Sequence, residues 1–248
     1  MTRGVLLFAE NSDVNYVHQA KILARSIKEN GNLQITLVTN DTTDSKYFDT
    51  VVHMPTSEGS WKINNRINAY EATPYDETIV LDVDMFCPVN LNEYFDLLSN
   101  EELWFTTKVY TYRNTPVSNF YYRRSIVANG LPNTYVGMYY FKKSLKASKF
   151  FDKLKEVHNN WQEYYDKFAP YKTQTFASID ISASIALHIL NYSITEYDIG
   201  FVHLKPRVHD CDLPEDIHFV DNKLFIGNFL QNRIVHYIEG FEDVLRKF

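Results

Sequence analysis

The sequence is poor in cysteine, in glycine and in long apolar runs. It has two cysteines, Cys87 and Cys211, among 248 residues, and these cannot form the disulfide framework of a small secreted protein. The first residues lack the apolar core of a signal peptide, and no stretch approaches the length of a membrane span. We therefore expect a cytoplasmic protein with no membrane span. The glycines do not form the G-x-G-x-x-G pattern, which argues against an ordinary dinucleotide-binding fold.

Acidic residues are absent from residues 103–151, although the net charge of the chain is −6. Eight cations lie in this acid-free segment: Lys108, Arg113, Arg123, Arg124, Lys142, Lys143, Lys146 and Lys149. The segment is either a solvated face that acidic neighbours balance in space, or a positive surface for an anionic substrate or acceptor. The sequence leaves both interpretations open.

An apolar run at residues 78–81 ends in two carboxylates one residue apart, Asp82 and Asp84. Such a run predicts a buried strand of an α/β sheet, and ligands of open α/β sheets bind where strands end. Two carboxylates there form a site for a divalent cation such as Mg²⁺ or Mn²⁺. A second Asp-x-Asp, at Asp210 and Asp212, follows no apolar run. We therefore interpret only Asp82 and Asp84 as a metal and nucleotide anchor.

The remaining pattern predicts a single α/β domain in which helices flank a mixed sheet. Further strands are predicted at residues 5–9, 35–39, 51–54, 103–107, 133–141 and 232–237. Helices are predicted at residues 12–30, 61–70, 92–99, 144–168 and 177–190, with Ser12 or Asp13 as the cap of the first. The histidines and aspartates at residues 203–218 match no metal-ligand spacing, so we interpret them as a polar loop.

The loops after the first two strands are candidate nucleotide contacts. They contain Phe8, Ala9, Asn11, Thr39 and Asp41. The basic, aromatic segment 108–124 is predicted to be a long loop, and loops beside a site carry substrate contacts. Its candidate acceptor-binding residues are Lys108, Tyr110, Tyr112, Arg113, Arg123 and Arg124.

Four further positions have both a functional and a structural interpretation. Arg66 either reaches donor phosphates or an acidic site residue, or is a solvated helix residue. Gly137 indicates either close approach of a backbone or ligand, or a packing bulge. Asp180 lies in the first turn of a helix, where the dipole alone explains a carboxylate. His236 ends the last strand and becomes functional only beside Asp82 and Asp84.

In this order, the motifs resemble a GT-A nucleotide-sugar glycosyltransferase, nearest to the glycogenin-like members of glycosyltransferase family 8. The resemblance rests on the β-α-β start, Arg66 sixteen positions before the carboxylate pair, and Asp82-Val83-Asp84. It also includes the glycine strand at Gly137, the Ala-Ser-x-Asp helix start at Asp180, and the late Ile-Val-His.

The resemblance implies a GT-A fold, a UDP-sugar donor and Mn²⁺ (or Mg²⁺) held by Asp82, Asp84 and His236. It places Val83 in the nucleotide site, and Arg66, Gly137 and Asp180 beside the donor sugar. We expect Asp180 and Arg66 to be catalytic. Residues 1–107 would form the nucleotide- and metal-binding half, and residues 108–248 the acceptor half with the late metal-ligand strand.

The chain departs from the family pattern after His236. The family's diphosphate-binding lysine is missing there, so Arg66, Arg246 or Lys247 would replace it. Compact phage enzymes that glycosylate hydroxymethylated cytosine also resemble this chain, and the acid-free segment suits DNA. We therefore expect a hydroxymethylated base in DNA as acceptor, with a saccharide or lipid-linked acceptor as the alternative. A non-catalytic nucleic-acid- or nucleotide-binding module and a nucleotidyltransferase remain as other classes.

Overall fold

The computed structural model describes residues 1–43, 46–54, 64–117, 123–172, 174–204, 216–221 and 223–237. Its larger sheet has six strands in the order β3-β2-β1-β4-β8-β6. These are β1 (Arg3–Ala9), β2 (Gln34–Thr39), β3 (Thr50–His53), β4 (Glu77–Leu81), β6 (Leu103–Thr106) and β8 (Tyr135–Lys142). The first four strands are parallel, and β8 is antiparallel to both β4 and β6. The predicted mixed sheet is confirmed.

Helices cover both faces of this sheet. They are α1 (Tyr16–Gly31), α2 (Ala69–Ala72), α3 (Leu91–Leu97), α4 (Arg124–Val127), α5 (Leu145–Asn159), α6 (Trp161–Phe168) and α7 (Ile179–Leu190), with a 3-10 helix at Asn64–Asn68. Side chains alternate across a strand, so Leu7 packs into one buried cluster with Leu23 of α1. Leu6 packs into a second cluster, on the opposite face, with Phe151 of α5 and Ile185 of α7.

A second sheet lies beside the end of β4. It has the order β5-β13-β9-β7, formed by β5 (Met85–Phe86), β7 (Val109–Tyr110), β9 (Phe201–His203) and β13 (Ile234–His236). An antiparallel meander of β10 (Ile217–Val220), β11 (Lys223–Ile226) and β12 (Phe229–Leu230) shares a buried cluster with it. The chain thus leaves the larger sheet at Leu81 and joins the smaller one at Met85. Asp82 and Asp84 lie at this junction.

Three local predictions were wrong. The helix at residues 144–168 is interrupted at Asn160, whose φ of −116° and ψ of 33° are not helical. The cap of α1 is Asn15, whose side chain accepts a hydrogen bond from the His18 N–H, and not Ser12 or Asp13. The segment 108–124 is not all loop, because it contains β7 and ends at the first residue of α4; its residues 118–122 lie outside the described residues.

Other predictions fall partly outside the described residues. Residues 61–63 of the predicted helix 61–70 lie outside them, and so do His209, Asp210 and Asp212 of the polar loop. His203 and His218 of the same stretch lie in β9 and β10. Among the residues that the structure describes, no helix has the length and apolarity needed to cross a membrane.

Candidate metal and donor site

Asp82, Asp84 and His236 come together at the junction of the two sheets. Each offers one ligand atom, and these atoms lie within 4.8 Å of one another. His236 Nε2 is 3.0 Å from Asp84 Oδ1 and 4.0 Å from Asp82 Oδ2. In the described part of the chain, this is the one cluster of three or more His, Cys, Asp or Glu side chains near enough to share a cation. Two carboxylates and an imidazole are a donor set for a divalent cation, and the carboxylates suit Mn²⁺ or Mg²⁺.

Backbone hydrogen bonds fix the three residues from different strands. The Asp82 N–H donates to the Gly137 carbonyl at 2.9 Å, and the Tyr237 N–H donates to the Asp84 carbonyl at 3.0 Å. His236 is opposite Met85 in the antiparallel pairing of β13 with β5. The pairing of β13 with β5 therefore determines where His236 lies relative to the two aspartates.

The His236 ring is also held by a second histidine. His203 of β9 is opposite His236 in the parallel β9–β13 pairing, and the two ring centroids are 4.6 Å apart. Both side chains are buried. Nothing in the sequence spacing indicated this contact, because it depends on the pairing of two short strands that are 33 residues apart.

Arg66 forms an ion pair with Asp82 Oδ1, and the two side chains are only 16% and 15% exposed. Burial raises the pKa of the Asp82 carboxyl above its ordinary value, although the Arg66 charge opposes this. Burial also acts on Asp84, but the charge and hydrogen bond of His236 outweigh it and lower the pKa of Asp84. The local environments thus shift the pKa values of the two carboxylates of one motif in opposite directions. In the structure Arg66 contacts an acidic residue of the site, and it is not a solvated helix residue.

Gly137 lies directly against Asp82. A Cβ atom at position 137 would be 3.1 Å from Asp82 Oδ2 and 3.3 Å from Met85 Cε. Such distances are tighter than ordinary van der Waals contact, so a side chain here would displace the carboxylate. The glycine in this strand therefore allows a close approach, here of the Asp82 side chain. It also lies where the β6–β8 register shifts, between the Phe105–Tyr139 and Thr106–Tyr135 pairs, so the bulge interpretation applies as well.

Both carboxylate oxygens of Asp180 accept hydrogen bonds. Arg123 donates to Oδ2 at 2.6 Å, and the Val136 N–H donates to Oδ1 at 2.7 Å. Asp180 lies at the start of α7, as its dipole interpretation requires, and its charge contributes to the raised pKa of Asp82. Asp180 is thus near the metal-ligand cluster, and it is tied to the beginning of β8.

The candidate nucleotide contacts lie at the ends of β1 and β2. Phe8, Ala9 and Thr39 are buried. Asn11 links the two loops, since its side chain donates to Asp41 Oδ2 at 2.7 Å and its N–H donates to Asn40 Oδ1 at 2.8 Å. The structure therefore brings these loops together at the edge where β4 reaches Asp82.

Glu10 was not among the sequence candidates. It is 4% exposed, and its Oε2 accepts a hydrogen bond from the Asn65 side chain at 3.1 Å. This contact connects the loop after β1 with the 3-10 helix that carries Arg66. An acid in the predicted contact loop, directly after a strand, is the signal that would have identified it.

The candidate acceptor residues have different environments. Tyr110 and Tyr112 are buried, and the Tyr110 hydroxyl donates to Asp198 at 2.7 Å. Arg124 and Arg113 are exposed, and the Arg113 guanidinium lies over the Tyr112 ring at 5.3 Å. The Lys108 amino group is 3.2 Å from Glu196. Arg123 faces Asp180 instead of solvent.

The acid-free segment is divided between the two ends of the strands of the larger sheet. Lys142 is opposite Glu77 at the start of β4, whereas Met138 is opposite Leu81 at its end. Because a strand rises about 3.3 Å per residue, Lys142 lies about 16 Å along β8 from Gly137. Lys142, and Lys143 whose N–H donates to the Asp76 carbonyl just before β4, therefore lie at the end of the strands opposite the metal-ligand cluster.

The arrangement of sheets and helices is the GT-A fold of nucleotide-sugar glycosyltransferases. Similar solved structures include the galactosyltransferase LgtC in complex with donor and acceptor sugar analogues, at a TM-score of 0.56 and 11% identity over 96% of this chain and 87% of that one. Mouse xyloside xylosyltransferase 1 matches at a TM-score of 0.53 and 12% identity over 83% of this chain and 89% of that one.

A third similar structure is the glycosyltransferase GlyE of Streptococcus pneumoniae TIGR4, at a TM-score of 0.47 and 16% identity over 79% of this chain. The chain spans 46% of the length of GlyE, so the two differ greatly in extent. No protein-family model matches the sequence, and no curated protein matches it significantly. The comparisons therefore establish the fold, as predicted, and residue roles rest on the site itself.

Proposed function

We propose that this protein is a metal-dependent glycosyltransferase that moves a sugar from a UDP-sugar to an acceptor hydroxyl. The observation that carries the proposal is the cluster of Asp82, Asp84 and His236 at the junction of two sheets. The cluster lies at the carboxyl end of β4, at the edge where ligands of α/β sheets bind. The GT-A fold supports the same class of reaction.

Asp82, Asp84 and His236 would hold Mn²⁺ (or Mg²⁺). When bound, this cation neutralises the donor diphosphate and stabilises it as a leaving group. Arg66 supplies a further positive charge beside Asp82, where the family's lysine is absent. Arg246 and Lys247, the other candidates to replace that lysine, lie outside the described residues.

The chain's own residues would bind and orient the donor. Two adjacent strand ends suit a nucleoside, and they carry Phe8, Ala9, Asn11, Thr39 and Asp41. Val83, between the two aspartates, belongs to the same proposed nucleotide site. Gly137 keeps the space beside Asp82 free of a side chain.

The sugar would lie near Asp180. The hydrogen bonds that Asp180 accepts from Arg123 and Val136 favour electrostatic stabilisation and orientation over service as a base. Asp180 and Arg66 would thus act in catalysis through electrostatic stabilisation and orientation.

For the acceptor, we propose a saccharide hydroxyl. The acid-free segment that favoured hydroxymethylated DNA is divided between the two ends of the strands, and Arg123 pairs with Asp180. DNA remains the second candidate because Arg113 and Arg124 are exposed cations within the proposed acceptor half. LgtC, which has this fold, was solved with donor and acceptor sugar analogues, and this supports a sugar acceptor.

The test is release of UDP from a panel of UDP-sugars, with Mn²⁺ or EDTA, and with saccharides, plain DNA or hydroxymethylated DNA. Release that requires Mn²⁺ and is stimulated by a saccharide is expected. Stimulation by hydroxymethylated DNA alone, lost at high salt, would replace the saccharide with DNA. DNA binding without metal and without release would favour a binding module, and formation of pyrophosphate would favour a nucleotidyltransferase.

A further inference from the structure

We infer that Arg123 is a positioning residue of the metal and donor site, through Asp180 and the beginning of β8, and that it does not contact the acceptor. This inference rests on the proposed function, which makes Asp82 a ligand for the cation. Arg123 would therefore serve binding of the donor, although its place in a basic loop suggested contact with the acceptor.

The Arg123 guanidinium is enclosed by Asp180 and by groups of the segment just before Gly137. It donates to Asp180 Oδ2 at 2.6 Å, to the Thr134 carbonyl, and weakly to Asn133 Oδ1 at 3.4 Å. Its carbon atom lies 4.1 Å from the centre of the Tyr135 ring. Arginine suits this position because its planar fork binds several acceptors at once and stacks on an aromatic face.

Asp180 connects Arg123 to the strand that contacts Asp82. Its other oxygen accepts the Val136 N–H at 2.7 Å, and its own carbonyl accepts a hydrogen bond from Thr134 at 3.1 Å. The next residue, Gly137, accepts the Asp82 N–H at 2.9 Å, and a Cβ on it would lie only 3.1 Å from Asp82 Oδ2. A shift of β8 at Val136 would therefore move the backbone against which the Asp82 carboxylate rests.

Arg123 and its neighbour Arg124 differ in solvent exposure. The Arg123 side chain is 9% exposed, whereas Arg124, the next residue, is exposed to solvent. The Arg124 side chain faces solvent, where an acceptor would approach, whereas the Arg123 charge is directed at Asp180. Without it, the partly buried Asp180 carboxylate would keep only one of the two donors to its oxygens.

The test uses the full chain and three variants: Arg123→Met, Arg123→Lys and, as a control, Arg25→Met. Arg25 forms an exposed pair with Glu29 on α1 and is remote in sequence from the site. Mn²⁺ binding is measured by electron paramagnetic resonance without donor, and UDP binding by calorimetry with Mn²⁺. The KM for the acceptor is then measured at saturating donor.

We expect Arg123→Met to weaken Mn²⁺ and UDP binding about tenfold, the lower end for loss of a group that orients metal ligands. Arg123→Lys should recover part of this loss because it keeps the charge but not the fork. Arg25→Met should match the wild type, and the acceptor KM should change less than twofold in every variant. Wild-type Mn²⁺ and UDP binding by Arg123→Met, or a raised acceptor KM alone, would overturn the inference.

Two further measurements keep the test decisive. If Arg123→Met does not fold, Asp180→Asn breaks the same ion pair and should weaken Mn²⁺ binding; unchanged binding by folded Asp180→Asn would overturn the inference. If the wild type binds neither Mn²⁺ nor UDP, the proposed function fails. Hydrogen exchange at the Val136 amide then tests positioning by itself, because faster exchange in Arg123→Met supports it and unchanged exchange rejects it.

Discussion

Substitution of Gly137 by alanine tests whether the close contact between β8 and Asp82 maintains the cation site. The added Cβ would lie 3.1 Å from Asp82 Oδ2, 3.4 Å from Asp82 Cγ and 3.3 Å from Met85 Cε. Gly137 is not among the described glycines with positive φ, so its backbone accepts alanine without strain. The perturbation is therefore steric, and it is directed at one proposed ligand.

The effect on stability should be small, and the effect on the site larger. Overpacking costs about 1–3 kcal/mol, and replacement of glycine by alanine returns about 0.4–1 kcal/mol through the unfolded chain. The net loss in the free energy of unfolding is then about 0–2.6 kcal/mol. Metal–ligand distances tolerate only about 0.2 Å, and relief of the contact needs a few tenths of an ångström, so we expect Mn²⁺ affinity to fall about tenfold.

The assay is Mn²⁺ titration of the folded variant, with its unfolding measured in urea. The matched control is Gly31→Ala at the end of α1, where a Cβ would lie 2.6 Å from Asn90 Oδ1, away from the cation site. This control should lose some stability and no Mn²⁺ affinity. Wild-type Mn²⁺ affinity in Gly137→Ala would refute the claim that Gly137 sets the position of Asp82.

Three further predictions concern single side chains. Asp84→Ala should lose Mn²⁺-dependent UDP binding in calorimetry with and without EDTA, and retained Mn²⁺-dependent affinity would remove its ligand role. Burial lowers the pKa of His158, so stability should be complete above pH of about 6.5 and decline below it, by at most about 1.4 kcal/mol per pH unit. Urea unfolding of wild type and His158→Gln checks this, and identical pH slopes would contradict it. Tyr165→Phe removes a hydroxyl that bonds both the N–H and carbonyl of Ser178, so a loss of about 1–3 kcal/mol is expected, and an unchanged melting curve would exclude this contribution.

The sequence predicted the elements whose pattern is local. The apolar run before Asp82 indicated a buried strand, and Gly137 indicated either a close approach or a bulge within another. The break at Asn160 was not predicted, because apolar residues at helical spacing continue on both sides of it, from Leu154 to Tyr165. Periodicity alone does not show where the backbone leaves the helical region.

The site required contacts between residues that are distant in sequence. Asp180 was identified as a helix-start carboxylate, but its pairing with Arg123 joins residues 57 positions apart. Arg123 was interpreted from the charge of its segment, which does not show whether a cation is exposed. The relation of His236 to the aspartates likewise depends on the pairing of β13 with β5, two strands too short to give a clear pattern.

The junction of the two sheets explains why two aspartates separated by one residue both lie beside His236. Val83, between them, is 2% exposed and packs in the same cluster as Leu81 and Met85. The buried valine anchors the crossing from β4 to β5, and the carboxylates on either side of it stay partly exposed. Because His236 belongs to the strand that pairs with β5, the same crossing that exposes Asp82 and Asp84 also brings in the imidazole. The proposed cation site is thus a consequence of one chain segment that joins the two sheets.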